Sequence, residues 1–429
     1  MHARRILGAI VTLLMLGGAG PTALSAQRDL SSFGAMSARG IGPAGMSGRT
    51  AAVAVAPGDP DVIWLGGATG GVWKSTNGGL VFTPMFDDQS ASSIGAIAVN
   101  RANPAIVWVG TGEANVRNSA GVGRGVWKSI DGGRTWRHLG LEHTEHIGRI
   151  VLDPGDADVA YVAALGPEWS DGEQRGVFRT TDGGQTWQKV LYVDASTGAP
   201  DLAMDPSNPQ HLLASTWQYR RRPWTFTSGG PGSGLYTSYD GGDTWTRLTP
   251  ADGLPAGDLG RIGLAFAAGD PSVVYALLEA KRSALLRSND GGATWQTISR
   301  EPGVDPRPFY YSQIRVDPTN ENRIYRVDGS LDVSEDAGRT FHTVVSSRKI
   351  HGDVHDLWLS ADGMTLIQTN DGGVGISSDR GHTWRFVANL PLAQYYHINV
   401  DDQVPYNVLG GLQDNGSWVG PAYVWHSGG

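Results

Sequence analysis

The chain has 429 residues, 40% of them hydrophobic, with a formal net charge of −8 and no cysteine. This acidic balance argues against nucleic-acid binding, because a negative protein repels the phosphate backbone, and the lack of cysteine excludes disulfide cross-links. The 61 glycines and 23 prolines recur between short apolar runs, which predicts many short strands and little helix.

Residues 1–26 have the pattern of a secretory signal peptide. Arg4 and Arg5 precede an apolar run over residues 6–16, and small residues follow at 23–26. The run is too short for a spanning helix, so we predict a secreted or periplasmic protein; an uncleaved N-terminal anchor is the alternative. No later apolar stretch predicts membrane insertion.

An eight-residue phrase, SIDGGRTW in its copy at Ser129, occurs seven times along the chain. Its third position is occupied by Asn77, Asp131, Asp182, Asp240, Asp290, Asp336 and Asp379. These positions are 43 to 58 residues apart, and periods near that length with strand and turn punctuation are typical of β-propeller blades. We therefore predict an all-β propeller of four-stranded blades.

The repeat divides the chain after the signal peptide into three parts. Residues 49–390 are predicted to form seven complete blades, and residues 391–429 begin an eighth. Residues 27–48 are a lead-in that either returns as a ring-closing strand or precedes a fragment of a larger, ten-bladed or tandem propeller. The unfinished eighth unit favours the fragment.

The repeated aspartate is predicted to be structural. Its carboxylate is placed to accept hydrogen bonds from its own tight turn, the glycine supplies a positive φ, and the tryptophan packs between sheets. Catalysis needs one or two carboxylates in distinct environments, which seven equivalent residues do not provide. We therefore expect turn-closing carboxylates of low pKa.

These seven eight-residue motifs, called boxes below, resemble the Asp-box, or BNR, repeats of bacterial sialidases, sortilin-type receptors and xyloglucan-degrading glycoside hydrolases. The stretches from IGPAGMSGRTAAVAVAP to GGLQDNGSWVGP are similar to long secreted bacterial proteins described as sortilin N-terminal-like or as "glycosyl hydrolase" BNR proteins. The resemblance implies a propeller fold and leaves its chemistry open. Those relatives are longer than 429 residues, which supports the fragment interpretation.

The candidate sites lie on the face opposite the boxes, where second-to-third-strand loops and inter-blade links emerge. One loop contains Glu113, Arg117 and Arg124, and another contains Glu168, Trp169 and Asp171. The third stretch, WQYRRRPW, contributes Trp217, Tyr219, Arg220, Arg221, Arg222 and Trp224. Aromatic faces beside guanidinium groups suit sugars or the carboxylates of peptides and uronic acids; loops that simply cover their own blades are the alternative.

A fourth group combines histidine and aspartate. His351, Asp353 and His355 are two apart and would share one face of a strand, and Asp371 and Asp414 fall in loops of adjacent units. The group could hold a divalent cation, with His351, Asp353 and His355 as ligands, or carry out acid–base chemistry. Its alternative is a set of hydrogen bonds between loops. No other cofactor is predicted.

The resemblance to enzymes is incomplete. The Arg-Ile-Pro motif of sialidases is absent, although Arg49, Arg149 and Arg261 lead into first strands. Xyloglucan-degrading relatives carry one acid in the first blade's second-to-third loop, where this chain has Ala68 and Thr69. A two-carboxylate mechanism loses its first member there.

Of three functional hypotheses, the first is the one that we favour from the sequence: a secreted propeller that binds a glycan or an extended peptide on the loop face and is not an enzyme. The second is a glycoside hydrolase whose carboxylates are drawn from Glu113, Glu168, Asp353 and Asp371, and the third is a structural scaffold. A hydrolase requires two carboxylates about 5 to 10 Å apart.

Overall fold

A computed structural model describes residues 48–423, and the fold is all-β as predicted. Within these residues the helical structure that is assigned is one 3-10 turn, Pro250–Asp252. No helix in this part of the chain is long and apolar enough to cross a membrane. The predicted signal peptide and all but the last residue of the predicted lead-in lie outside the described residues.

The first four blades span residues 50–247. Blade 1 comprises β1 (Thr50–Ala56), β2 (Asp59–Gly67), β3 (Val72–Thr76) and β4 (Thr83–Pro84). Blade 2 comprises β5 (Ile94–Val99), β6 (Val107–Thr111), β7 (Val126–Ser129) and β8 (Arg137–His138). Blade 3 comprises β9 (Ile147–Leu152), β10 (Ala160–Ala164), β11 (Gly176–Thr180) and β12 (Gln188–Leu191). Blade 4 comprises β13 (Thr197–Gly198), β14 (Leu202–Asp205), β15 (Asn208–Arg222), β16 (Thr225–Ser228), β17 (Gly234–Ser238) and β18 (Thr246–Arg247).

Three further blades and one smaller sheet complete the described chain. Blade 5 comprises β19 (Leu259–Phe266), β20 (Val274–Ala280), β21 (Ala284–Ser288) and β22 (Gln296–Ser299). Blade 6 comprises β23 (Gln313–Asp317), β24 (Asn320–Val327), β25 (Leu331–Ser334) and β26 (His342–Thr343). Blade 7 comprises β27 (Val354–Leu359), β28 (Leu366–Asn370), β29 (Gly373–Ser377) and β30 (Arg385–Phe386). The last sheet comprises β31 (Tyr395–Val400), β32 (Asn407–Leu412) and β33 (Ser417–Pro421).

The ring closes between blade 7 and blade 1. Strand β1 contacts β5 on one side and β27 and β28 on the other, so the first strands surround a common axis. A core cluster joins Val53, Ile63 and Leu65 of blade 1 to Ile367 and Ile376 of blade 7. Each sheet thereby buries both faces against its neighbours, which a single sheet could not do.

Because seven blades close the ring, the sheet β31–β33 lies outside it. This sheet corresponds to the predicted start of an eighth unit, and its outward residues are mostly exposed. Ile398, Val400 and Val419 are 54%, 62% and 62% exposed. Its β32–β33 turn nevertheless reaches the ring, because Asn415 Nδ2 donates to the Asp371 carbonyl at 2.9 Å.

The repeated boxes close their own turns on the face opposite this contact. Asp131 Oδ1 accepts from Ser129 Oγ at 2.8 Å and from the Thr135 amide at 2.9 Å, and Oδ2 accepts from Thr135 Oγ1 at 2.6 Å. These hydrogen bonds lower the pKa of Asp131 to about 2. The corresponding carboxylates of the other boxes have lowered pKa values for similar reasons, and Asn77 replaces the carboxylate in blade 1 with an amide oxygen.

The box glycine also forms a contact between blades. Gly133 has φ of 89°, and a Cβ added there would lie 2.5 Å from Cη2 of the buried Trp64 ring of blade 1. Lys74 covers the same ring, with Nζ 4.7 Å from its centroid, and donates to the Gly132 carbonyl at 2.9 Å. Burial of one tryptophan contributes roughly 4 to 6 kcal/mol of gross transfer free energy, as an upper bound.

Gly133→Ala should destabilise the propeller more than Gly132→Ala. Both positions have positive φ, so each substitution carries backbone strain of about 1 to 2 kcal/mol. Only Gly133 also faces the Trp64 ring, which adds an overpacking cost of about 1 to 3 kcal/mol. Chemical denaturation of the two variants measures the difference, and equal losses of stability would contradict the proposed blade contact.

Candidate functional site

A buried ion-pair network joins three blades at the axis on the loop face. Arg49, just before β1, donates from Nε to Glu113 Oε1 and from Nη1 to Asp371 Oδ1, each at 2.7 Å. Glu113 follows β6 and Asp371 follows β28, and the three side chains are almost completely buried. Attraction to the two carboxylates outweighs the effect of burial and raises the pKa of Arg49. The loops that follow β6 and β28 therefore meet through Arg49.

His355 extends this network through a contact with Asp371. Its Nε2 lies 2.6 Å from Asp371 Oδ1, and the ring is fully buried. Burial and the charge of Arg49 lower the pKa of His355, so we assign a neutral imidazole whose Nε2–H donates. Although burial opposes ionisation of Asp371, the His355 hydrogen bond and the Arg49 charge lower its pKa.

Three carboxylates lie close together next to this network. Asp353, Asp371 and Asp414 each place a carboxylate oxygen within 4.8 Å of the other two. Although Asp414 is exposed, partial desolvation, a hydrogen bond with Asp371 and the charges of Asp371 and Asp353 raise its pKa. Asp414 therefore retains its proton to higher pH than an ordinary aspartate and can donate it, whereas Asp371 is ionised.

These carboxylates line a cavity of about 490 Å³ that is open to solvent. Its remaining walls include guanidinium groups and aromatic rings from two loops and from strands β15 and β31, namely Arg117, Arg221, Arg307, Phe309, Tyr310 and Tyr396. Arg117 Nη1 donates to Gln413 Oε1 at 2.5 Å, so this wall also links blade 2 to the last sheet. The arrangement offers acid–base groups, hydrogen-bond donors and flat apolar surfaces in one place.

The prediction for the WQYRRRPW stretch needs correction. It is the end of the long strand β15 and pairs with β16. Trp217 and Tyr219 are 0% and 1% exposed, stacked at 4.3 Å in a small core. The prediction that they contact a ligand is therefore wrong, because β16 and the neighbouring loops cover both rings.

The arginines of the same hairpin have different surroundings. Arg221 lines the cavity and its Nε donates to the buried Glu168 at 3.0 Å, while Arg220 pairs with Asp171 at the surface. Arg222 is exposed, and Trp224 and Trp169 are 80% and 48% exposed. None of these three residues is among the residues that line the described cavity.

The predicted cation ligands also need correction. Strand β27 begins only at Val354, and Asp353 has φ of 53°, so His351, Asp353 and His355 do not share a strand face. His351 lines a separate cavity, and His355 is engaged by Asp371. The oxygen set that suits a hard divalent cation is instead Asp353, Asp371 and Asp414.

The other two first-strand arginines do not enter the network. Arg149 Nε donates to Asp201 at 2.8 Å, and Arg261 Nη1 donates to the backbone carbonyls of Phe309 and Tyr310, each at 3.2 Å. Ala68 is buried and Thr69 is exposed in the first blade's loop. That loop therefore supplies no carboxylate.

Sequence reasoning missed the link between blades 5 and 6. Its stretch RPFYY places Arg307, Phe309 and Tyr310 in the cavity wall, and the Tyr311 hydroxyl donates to Asp353. The cluster of three aromatic residues beside an arginine was the available signal. It lies outside the repeated box, where no periodicity marks it.

The chain is similar to a sortilin family model and to several xyloglucanases. The family model of Sortilin-Vps10, described as sortilin, neurotensin receptor 3, matches residues 124–252. A Paenibacillus xyloglucanase is 26% identical over 222 residues, which are 47% of this chain and 20% of that protein. A probable oligoxyloglucan-reducing end-specific xyloglucanase of Neosartorya fischeri is 27% identical over 303 residues, or 58% of this chain and 34% of that protein. The chain thus spans 20% and 34% of the lengths of these two relatives.

Solved structures show the same architecture. An ancestral GH74 enzyme superposes with a TM-score of 0.62 at 17% identity, covering 89% of this chain and 54% of that chain. YCF48 bound to D1 peptide superposes with a TM-score of 0.52 at 14% identity, covering 78% of this chain and 94% of that chain. At these identities the similarity demonstrates the propeller fold alone.

Arg49→Gln should destabilise the protein by about 3 to 5 kcal/mol, because it removes the cation between two buried carboxylates and leaves Glu113 only its longer contact with Arg117, at 3.4 Å. Arg220→Gln, which breaks a pair with the exposed Asp171, should cost about 0 to 1 kcal/mol. The double variant Arg49→Gln/Glu113→Gln should recover part of the loss. Denaturant titration measures all three, and an Arg49→Gln loss no larger than the Arg220→Gln loss would contradict the buried network.

Glu168 should make stability fall as pH rises. Burial outweighs the hydrogen bond and charge of Arg221 and raises the pKa of Glu168 from 4.5 to about 7. Between these values the folded state binds more protons than the unfolded state, so the stabilisation present below pH 4.5 is lost by about pH 7. Glu168→Gln should reduce this loss of melting temperature, whereas Glu173→Gln, at an exposed acid of the same loop, should not. Identical pH profiles for all three proteins would exclude the effect.

Proposed function

We propose that this propeller is a glycoside hydrolase that acts on a xyloglucan-like polysaccharide. The observation that carries the proposal is the group of three carboxylates, Asp353, Asp371 and Asp414, in an open cavity at the axis. Glycoside hydrolysis uses two carboxyl groups that flank one glycosidic bond. Oxygens of this group lie within 4.8 Å of one another, which is close to the separation of about 5 to 5.5 Å that retaining enzymes use. The similarity to xyloglucanases supports the same substrate class. Export by the predicted signal peptide would bring the protein to such a polymer.

The three carboxylates have different roles in this proposal. Asp414 is the general acid, because its pKa is raised and it faces the cavity; it protonates the leaving oxygen. Asp353, oriented by the Tyr311 hydroxyl, is the opposing carboxylate: it bonds to the anomeric carbon as the bond to the protonated leaving oxygen breaks, and water then hydrolyses the glycosyl–enzyme bond. Asp371 is a positioning residue, because its Oδ1 already accepts hydrogen bonds from Arg49 and His355.

The walls of the cavity suit a neutral sugar chain. Phe309, Tyr310 and Tyr396 offer ring surfaces for the apolar faces of pyranose rings, and Arg117 and Arg307 offer donors for hydroxyl oxygens. Because the first blade's loop has Ala68 and Thr69, we assign the chemistry to residues of blade 7 and the last sheet.

A second candidate function is peptide binding without hydrolysis. Three arginines, Arg117, Arg221 and Arg307, line the cavity, and guanidinium groups bind peptide carboxylates well. The match to the sortilin model over residues 124–252 and the similarity to a propeller bound to a peptide favour this alternative. The two candidates differ in whether a bound ligand is cleaved.

Asp414→Asn should lower kcat on xyloglucan by about 10²- to 10⁴-fold, which is the usual contribution of a general acid. Asp402→Asn is the matched control, since Asp402 is an exposed aspartate in the β31–β32 turn of the same sheet. Release of reducing ends measures turnover, and equilibrium binding of xyloglucan oligosaccharides measures affinity. Binding without turnover by the unmodified protein would reject the hydrolase and leave the binding function.

A further inference from the structure

The β15–β16 hairpin of blade 4 has no counterpart in the other six blades. Strand β15 has 15 residues, whereas the second strands of the other blades have five to nine. Its last residues, 219–222, pair with β16 and leave Pro223 and Trp224 as the connecting turn. The hairpin therefore extends beyond the four-stranded sheet on the loop face, where Arg221 lines the cavity at the axis.

Contacts with the loop after β10 hold this hairpin in place. The Arg221 amide donates to the Glu168 carbonyl at 3.0 Å, and Arg221 Nε donates to Glu168 Oε1, also at 3.0 Å. Arg220 pairs with Asp171 of the same loop. Arg221 Cζ lies 4.3 Å from the centroid of the Phe226 ring, which packs against the small core under the hairpin. The turn at the tip is thus fixed relative to the loop.

Two tryptophans are exposed on these two segments. Trp224 at the tip of the hairpin is 80% exposed, and Trp169 in the loop is 48% exposed. The other tryptophans among residues 48–423 are buried or half-buried. Trp169 follows Glu168, and Trp224 is three residues from Arg221, so their Cα atoms are separated by at most about 20 Å. Because burial of a tryptophan is favourable, two exposed rings on one fixed surface indicate a ligand.

We propose that Trp169 and Trp224 form a binding surface for a polysaccharide chain outside the cavity at the axis. The flat indole rings stack on the apolar faces of pyranose rings, and polar groups beside them bond to sugar hydroxyl groups. Asp171 and Arg222, each two positions from one of the tryptophans, are exposed and provide an acceptor and donors. The choice of a xyloglucan-like polymer rests on the proposed function, whereas binding at this surface does not require cleavage.

Other partners of exposed tryptophans fit this surface less well. A stable protein interface buries about 800 Å² on each side around an apolar centre. The exposed neighbours of the two rings in sequence are mainly polar or charged, namely Ser170, Asp171, Arg222 and Thr225. An anionic membrane surface would be repelled by the exposed carboxylates of Asp171 and Glu173. Separate rings among polar groups suit a chain of sugars.

Retardation of the full chain in native gels that contain xyloglucan polymer measures polymer affinity, and calorimetric titration with a short xyloglucan oligosaccharide measures binding at the cavity. Trp169→Ala/Trp224→Ala should weaken polymer binding at least about tenfold relative to oligosaccharide binding, because two stacking contacts are lost. Trp169→Tyr/Trp224→Tyr keeps two aromatic faces and should retain most of the affinity. Tyr239→Ala is the matched control, since Tyr239 is 57% exposed in a box on the opposite face; it should bind polymer like the unmodified protein.

Equal retardation, or none, in the unmodified and double-alanine proteins would overturn the assignment, as would an equal loss of affinity in Tyr239→Ala. Tryptophan-dependent binding of phosphatidylglycerol vesicles or of a proline-rich peptide, without such binding of xyloglucan, would transfer the surface to those partners and also overturn it. Polymer that is bound through the tryptophans but not cleaved would reject the proposed hydrolysis alone. Polymer that the unmodified and double-alanine proteins bind and cleave equally well would reject the tryptophan surface alone.

Discussion

Each four-stranded sheet of this protein must cover both of its faces, and the structure depends on this requirement. The faces are covered by neighbouring blades, as in the core where Val53 and Ile63 meet Ile367 and Ile376. Because blades diverge away from the axis, their outer corners need a rigid turn. The box supplies one. In blade 2 the Asp131 carboxylate closes the turn, and Gly133 leaves space for the Trp64 ring of the adjacent blade.

The same packing determines where chemistry can occur. When first strands surround one axis, the loops that leave their ends on one face converge, although the residues are far apart in sequence. Arg49 joins Glu113 and Asp371 across 64 and 322 positions of the chain. The box carboxylates on the other face remain in separate turns. One fold therefore produces dispersed structural aspartates on one face and a concentrated polar site on the other.

Much of this organisation could be predicted because turn chemistry is local. The spacing of the boxes identified the blades, and the assignment of loops to the opposite face brought Glu113, Asp353, His355, Asp371 and Asp414 into consideration. Strand alternation indicated that Trp217 and Tyr219 share a face, but not that β16 and the surrounding loops cover it. The error at His351 arose because sequence does not show that β27 begins only at Val354. The aromatic link before blade 6 has no counterpart in the repeat.

Asp414 belongs to the proposed site but not to the ring of seven blades. This residue is on the β32–β33 turn, and that sheet is outside the closed ring. Arg117 and the Asp371 carbonyl hold the turn through hydrogen bonds with Gln413 and Asn415. Displacement of this one sheet would remove the proposed proton donor while all seven blades keep their packing. The seven blades thus pack against one another without the last sheet, whereas the proposed site is complete only with it.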